Sequence, residues 1–429
     1  MTAGIMFLLM FLLIFLGVPV AFSIGLSTIT FLAITNMKPL VLVAQRMVTG
    51  LDSFPLLAIP LFILVGNLMA GGGISKRLVR WAESLVGGLP GGLGIVAILS
   101  CVVFSALSGS GPATVAAIGA IIIPSMIQKG YTTETSGGLI AAAGALGPII
   151  PPSIPMIIYG VTMNLSVTDM FLGGIIPGLF IAVLLVVVNA VIAKKSPAIL
   201  VHRNEVKFSM KNVLKSTWSG LGALLLPVII LGGIYGGIFT PTEAAAVGVV
   251  YSLLVGGLIY RELKLKELPQ ILINTMVTSG MICFIIGAAN VLSWIMSATQ
   301  FSNNIVDTLL KVVDNKIVYL LVLNLFLFFV GALLDNIAAI IIMAPILVPM
   351  GIELGLDPLH LGVLFVINIV IGFVTPPFGY NLFTACAITG LKFDRIVKGV
   401  WPFLLVEMIA VMIFAYVPGL ITFLPNLLK

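Results

Sequence analysis

The chain has 429 residues, of which 60% are hydrophobic and 8% charged, with a mean hydropathy of +1.25. Ordinary globular chains carry about 25% charged residues, so a water-exposed surface is excluded and apolar stretches of 18 or more residues read as membrane helices. The net charge of +6 sits mostly in polar segments, where it reports membrane orientation rather than nucleic-acid binding.

The first apolar run begins at residue 5, with no basic region before it and no small-residue cleavage site. It reads as a first membrane helix, not a signal peptide. In "GLDSFPLLAIP" Asp52 is expected to cap the helix that follows. "ISKRLVRWAESLVGGL" (74–89) has amphipathic spacing and fits the interface plane. Residues 91–126 then carry no charged side chain, yet the apolar run is interrupted by "SGSGP". Gly109 and Gly111 permit unusual dihedrals there, and Pro112 suits the first turn of a returning helix. A second kind of break follows within 134–165, at "GALGPIIPPSIPM", where adjacent prolines remove two helix hydrogen bonds and free nearby carbonyls.

Residues 194–216 read as a cytoplasmic linker through Lys194, Lys195, Arg203, Lys207, Lys211 and Lys215. Beyond it come a second amphipathic stretch, "NNIVDTLLKVV" (303–313), and a second hairpin at 317–350 with "GALLDNIAA" at its tip. A second broken helix at 358–389 contains "GFVTPPFGYNLF". Cys101, Cys283 and Cys386 lie far apart in apolar segments and read as small core residues, not a disulfide framework or metal site.

The later elements repeat the earlier ones. At an offset of 225 residues, Pro124 meets Pro349, Gly130 Gly355, Gly147 Gly372, Pro151-Pro152 Pro376-Pro377, Asp169 Asp394, Gly174 Gly399 and Pro177 Pro402. Composition alone predicts roughly one such coincidence in that window. The halves are 1–193 and 217–429, and charge makes them inverted. Lys76, Arg77, Arg80 and Lys129 have no basic counterparts in the second half, and Lys392, Arg395 and Lys398 have none in the first. Both flanks of 91–126 then face the cytoplasm, and 36 residues are too few for two spans of ~20, so the segment is expected to re-enter. The predicted fold is an all-α polytopic membrane protein of two inverted-topology repeats, each with a re-entrant hairpin and a discontinuous helix, with both termini periplasmic.

Hairpin tips and helix breaks of inverted repeats are where transporters bind ions and substrate. Proton coupling wants buried carboxylates or histidines. His202 and His360 are expected in loops, and Asp52, Glu243 and Glu407 near helix ends, leaving Asp335 as the acid at a tip. Sodium wants hydroxyls, carbonyls and at most a carboxylate, which both centres offer. One sodium site is expected from Ser105, Ser110, Gly111 and carbonyls near Gly147 and Pro151. The other would use Asp335, Asn336, Gly372, Thr375 and Pro376. Ser108 and Ser153 face Leu333 and Phe378 across the repeat, so they are the candidates for an asymmetric anionic substrate. For either serine, a bond back to its own helix is the competing reading.

"SGSGPATVAAIGAIIIPSM", "GALGPIIPPSIPM", "GGIYGGIFTPTEAAAVG", "LDNIAAIIIMAPILVPM" and "GFVTPPFGYNLF" together resemble, nearly end to end, the large membrane subunit of TRAP (tripartite ATP-independent periplasmic) transporters. The resemblance implies sodium-driven uptake by an elevator movement in the bacterial inner membrane. It also implies a four-helix small membrane subunit, expected as a separate chain, and a periplasmic substrate-binding protein that delivers an organic anion of the sialic acid or C4-dicarboxylate class. A proton-coupled transporter or antiporter of similar fold is the alternative. An intramembrane protease fails for want of a base, with neither histidine expected inside the membrane, and an ATP-driven permease for want of a P-loop.

Overall fold

The computed structural model describes residues 2–35, 39–89, 91–201, 209–301 and 315–428. Every regular element among them is helical. Helices α1 (Thr2–Phe15) and α2 (Val20–Thr35) pack on each other across the turn at Gly17-Val18-Pro19. The opening apolar run is therefore two short helices, because Pro19 cannot donate to a continuing helix. α3 (Val41–Thr49) leads through a 3-10 turn, Phe54–Leu57, into α4 (Ala58–Gly71) and the amphipathic α5 (Ile74–Val86). Then come α6 (Gly92–Ser108), α7 (Gly111–Gln128), α8 (Thr133–Gly144), α9 (Ile154–Thr162) and the long α10 (Val167–Lys195).

After α11 (Pro197–Val201) the chain resumes with α12 (Met210–Tyr235) and α13 (Pro241–Leu253), which runs into a π-helical segment, Leu254–Ile259. α14 (Leu268–Ala298), α15 (Lys316–Leu333), α16 (Asn336–Glu353), α17 (Pro358–Gly372), α18 (Tyr380–Thr389), α19 (Phe393–Tyr416) and α20 (Gly419–Leu427) complete the order. Among the described residues, nine helical stretches are long and apolar enough to cross a membrane. The protein is a polytopic membrane protein.

Several local expectations change. The stretch 194–216 is not a plain linker: α10 runs through Lys195, and α12 already contains Lys211 and Lys215. Ser53, not Asp52, stands at the N-cap of the 3-10 turn, and no side chain caps it. His360 is not in a loop. Asp357 Oδ1 accepts from the His360 amide at 2.8 Å and starts α17 early, so His360 is fully buried with Nε2 2.8 Å from the Phe414 carbonyl. Glu407 is not near a helix end either, because α19 continues to Tyr416 and leaves that carboxyl wholly buried. Glu243 does sit at a helix start, in a capping box with Thr240. The expected amphipathic helix at 303–313 lies outside the described residues. The hairpin arms α6, α7, α15 and α16 have 17 or 18 residues, about 26 Å each, so they are longer than half-spans.

α5 buries Ile74, Leu78, Val79 and Ala82 and packs on α6 and α12. Its Arg77 reaches Glu262 at 2.6 Å and the Gly73 carbonyl at 3.0 Å, with the guanidinium 3.7 Å above the Tyr260 ring. The pair is partly exposed and worth little as an ion pair, but the ring contact fixes α5 to the segment after α13.

The tightest helix crossing is that of α8 with α19. A Cβ on Gly138 would run into the backbone of Gly399 and Val400, and one on Gly399 into the backbone of Glu134. Small residues allow this approach, as in other membrane helix pairs. Replacing Gly399 by Leu should therefore destabilise the protein by about 1–3 kcal/mol. A thermal melt in detergent reads the effect, and an unshifted transition would show that the crossing has slack.

Candidate functional site

Four interruptions in the helices are brought together in pairs. α6 ends at Ser108 because Gly109 takes the left-handed region (φ +59°), and Ser110 is extended before Pro112 enters the first turn of α7. α15 gives way at Leu334 to Asp335, whose carboxylate accepts from the Ile337 amide at 2.9 Å and so caps α16. Between α8 and α9 the chain makes turns over 145–153, and between α17 and α18 over 373–379. Each break contains a cis proline pair, Pro151-Pro152 and Pro376-Pro377.

The first tip closes on the first break. Gly109 is so near Pro152 that a Cβ would fall 2.8 Å from its carbonyl oxygen, and one on Gly147 would fall 2.6 Å from that of Ser110. Thr114 Oγ1 donates to the Ser110 carbonyl at 2.8 Å and lies 3.0 Å from Ser108 Oγ. Ser110, Gly111, Gly147 and the stretch holding Pro151 thus share one buried place with Ser108 and Thr114. Ser105 lies one turn back, and its hydroxyl donates to the Cys101 carbonyl at 2.5 Å. Ser153 caps α9 by accepting from the Met156 amide at 3.2 Å, while its proton goes to the Pro148 carbonyl at 2.5 Å. Its hydroxyl is spent inside the chain.

The second tip closes on the second break through backbone. A Cβ on Gly331 would fall 3.1 Å from Gly372 Cα and 2.9 Å from the Ile369 carbonyl oxygen. Thr375 Oγ1 donates back to the Ile371 carbonyl at 3.0 Å, and Pro376 follows it. Among the described residues, no hydrogen bond joins the side chains of Asp335 or Asn336 to this break.

Asn381 links the two pairs. Its amide donates to the Phe373 carbonyl at 3.1 Å, across the second break, while its Nδ2 donates to the Ala141 carbonyl at 2.9 Å, 240 residues away. Its Oδ1 is buried beside Gly111 with no hydrogen-bond partner among the described residues. A Cβ on Gly111 would fall 2.8 Å from that oxygen. Buried amide oxygens are rarely left unpaired, so this one is an open acceptor. Asn381 was legible in principle, since at the offset of 225 it faces the apolar Met156.

The packing around the tips is reciprocal: α7 lies on α18, and α16 lies on α9. The chemistry on offer is hydroxyls, carbonyls, two amide side chains and one carboxylate, all hard oxygen donors. Among the described residues no group of three His, Cys, Asp or Glu side chains is placed to hold a metal ion. A separate cavity of about 380 Å³ opens where Ser53–Pro55, Gly160, Val161, Asn164–Thr168 and Thr240–Thr242 meet.

The family described as the tripartite ATP-independent periplasmic transporter, DctM component, matches residues 7–420. Among curated relatives, the sialic acid TRAP transporter large permease protein of Vibrio cholerae is 38% identical over 415 residues, covering 97% of this chain and 96% of that protein. The C4-dicarboxylate large permease protein of Rhodobacter capsulatus is 35% identical, with 100% of each chain covered. The isethionate TRAP transporter permease protein DctMQ of Oleidesulfovibrio alaskensis is 39% identical over 95% of this chain, which spans 64% of that relative's length.

Asn381→Ala removes the bond that crosses the molecule and leaves the Ala141 carbonyl unpaired. It should lower stability by about 1–3 kcal/mol. The readout is thermal unfolding of the purified chain, and a loss below the scatter of exposed-site substitutions would mean that the Ala141 contact is not made.

Proposed function

The chain belongs to the DctM-component family of tripartite ATP-independent periplasmic transporters, and on that premise we propose that it is the sodium-coupled uptake path for a small organic anion. Its relatives are transporter permeases, and it is a transporter subunit, not an enzyme. It works in the bacterial inner membrane with a small membrane subunit and a periplasmic protein that delivers the anion. The anion is of the sialic acid or C4-dicarboxylate class carried in the names of the relatives.

One observation carries this reading: two hairpin tips, each shut against a helix break, with the α7–α18 and α16–α9 packing exchanged between the two parts of the chain. That exchange is what two inverted repeats around a pseudo-two-fold axis would produce. Burial of both tips, at Ser108 to Gly109 and at Leu334 and Asn336, supports re-entry where arm length alone does not. Non-helical backbone is tolerated at membrane depth only when it is covered by protein or lines a cavity.

In the proposed cycle, sodium binds first at Ser110, Gly111 and the carbonyls near Gly147 and Pro151, where the open oxygen of Asn381 adds a donor that spacing had not supplied. A second sodium uses Asp335, Asn336, Gly372, Thr375 and Pro376. Ser108 is the better substrate donor of the two serines, because Ser153 already gives its proton to Pro148. The tips, breaks and bound ions then move together past α1–α5 and α12–α14 as one elevator unit. The competing proton-coupled reading draws on a different observation, the buried Glu407.

The test is uptake into liposomes of labelled sialic acid and, in parallel, a C4-dicarboxylate, each with its matching binding protein and the small subunit. Uptake should need both an inward sodium gradient and the binding protein, and Asp335→Ala should abolish it. Full uptake under a pH gradient with sodium absent would remove the sodium assignment.

A further inference from the structure

The transport reading leaves one buried carboxyl unused. Glu407 lies inside α19, wholly buried, and neither carboxyl oxygen has a hydrogen-bond partner among the described residues. Val400, Phe403, Glu407, Val411 and Phe414 form one buried stripe along α19, and the Phe414 carbonyl on that stripe meets His360 of α17. One end of the stripe thus lies beside α17, while the Phe414 ring meets Phe180 of α10.

Counting along the helices brings a second unsatisfied group to about the level of Glu407. From the His360–Phe414 contact, Asn368 is eight residues along α17, about 12 Å, and Glu407 is seven residues back along α19, about 10.5 Å. An independent path agrees. Tyr416 donates to the Ile317 carbonyl at 3.2 Å, and Leu325 and Phe328 share an apolar groove with Leu405, Met408 and Ile409, so α15 and α19 run antiparallel. Asn324 then lies about level with Ile409, and Asn368 Nδ2 donates to Asn324 Oδ1 at 2.5 Å. Asn324 in turn donates to the Leu320 carbonyl at 2.6 Å. The chain of bonds ends at Asn368 Oδ1, which is buried with no hydrogen-bond partner among the described residues.

Among the described residues, no cation is set to balance a charge on Glu407. Among the described residues of the helices packed on α19, the charged or titratable groups are Glu134 on α8, Asp169, Lys194 and Lys195 on α10, Lys316 and Tyr319 on α15, His360 on α17, and Tyr380 and Cys386 on α18. Glu134 pairs with Arg395, Tyr319 donates to the Leu347 carbonyl, and His360 is held by Phe414. The acids and lysines of this set stand in the first or last turn of their helices, Tyr380 is half exposed, and Cys386 lies in the cytoplasmic half of α18 by the topology proposed above. On α19 itself Asp394, Arg395 and Lys398 are in the first two turns and Tyr416 is at the end. A buried charge without a partner is costly, whereas a protonated carboxyl is a donor.

We propose that Glu407 is a proton-binding site, held as the neutral acid with its hydroxyl donated to Asn368 Oδ1, and that losing this proton stops the transport cycle. The bonds then run from Glu407 through Asn368 and Asn324 to Leu320, tying α19, α17 and α15 at one level. In alkaline medium the O–H bond breaks and the proton leaves to water, which places a bare carboxylate in an apolar bundle and takes the donor from Asn368. The functional half of the proposal rests on the transporter reading.

Two measurements on the full chain separate the parts. Infrared spectra of the purified protein in lipid should show a protonated-carboxyl stretch at neutral pH that is missing in Glu407→Gln. Identical spectra for the two proteins would overturn the proposal. In liposomes with the other two components, wild-type uptake should fall on the alkaline side, while Glu407→Gln keeps uptake and loses that fall, because its amide still donates to Asn368. An alkaline fall unchanged in Glu407→Gln would overturn the functional half. Were uptake absent from every protein while the infrared band still depended on Glu407, the proton site would stand and the transport reading would fail.

Discussion

Hydrocarbon offers no hydrogen bonds, so each backbone group that leaves a helix inside a membrane must find a partner in the protein. This chain leaves its helices repeatedly, at 109–110, 145–153, 334–335 and 373–379, and the rest of the architecture is arranged around covering those places. The tip at Gly109 is covered by Pro152, the turn at Gly147 by Ser110, and the break after Gly372 by Gly331. The Phe373 carbonyl, freed by the break, receives the Asn381 amide. Pieces that cover one another are packed as one unit, and tips and breaks are buried together.

Much of this was legible because glycine and proline act locally. Gly109, Pro112 and the two proline pairs interrupt a helix whatever surrounds them, so the breaks could be placed from the sequence alone. Helix starts set by caps were harder. Asp357 begins α17 ahead of His360 and draws into the core a histidine that its Gly-Leu-Asp-Pro context assigned to a loop. Glu407 is interior for a related reason: α19 takes Pro402 within it and runs on to Tyr416, where Pro418 follows.

Side-chain roles at the site were the least legible, because they depend on which distant residues arrive. Ser153 and Ser108 look equivalent in sequence, yet one is consumed as a cap and the other meets Thr114. Asn381 looked like an ordinary helix residue, and its importance comes from residues of the other half that no local pattern announces. The two tips also differ in kind: the Ser110 side chain does not cap its helix, while Asp335 lends an oxygen to its own. The two tips are therefore chemically unequal.

The reach of Asn381 has a consequence for how such a chain can change over time. A single side chain answers to Gly111 and the Ala141 carbonyl at once, so drift at position 381 is limited by positions far back in the chain. A mutation at 381 is screened by that distant surrounding, and changes there should be inherited in step with changes at 111 and 144.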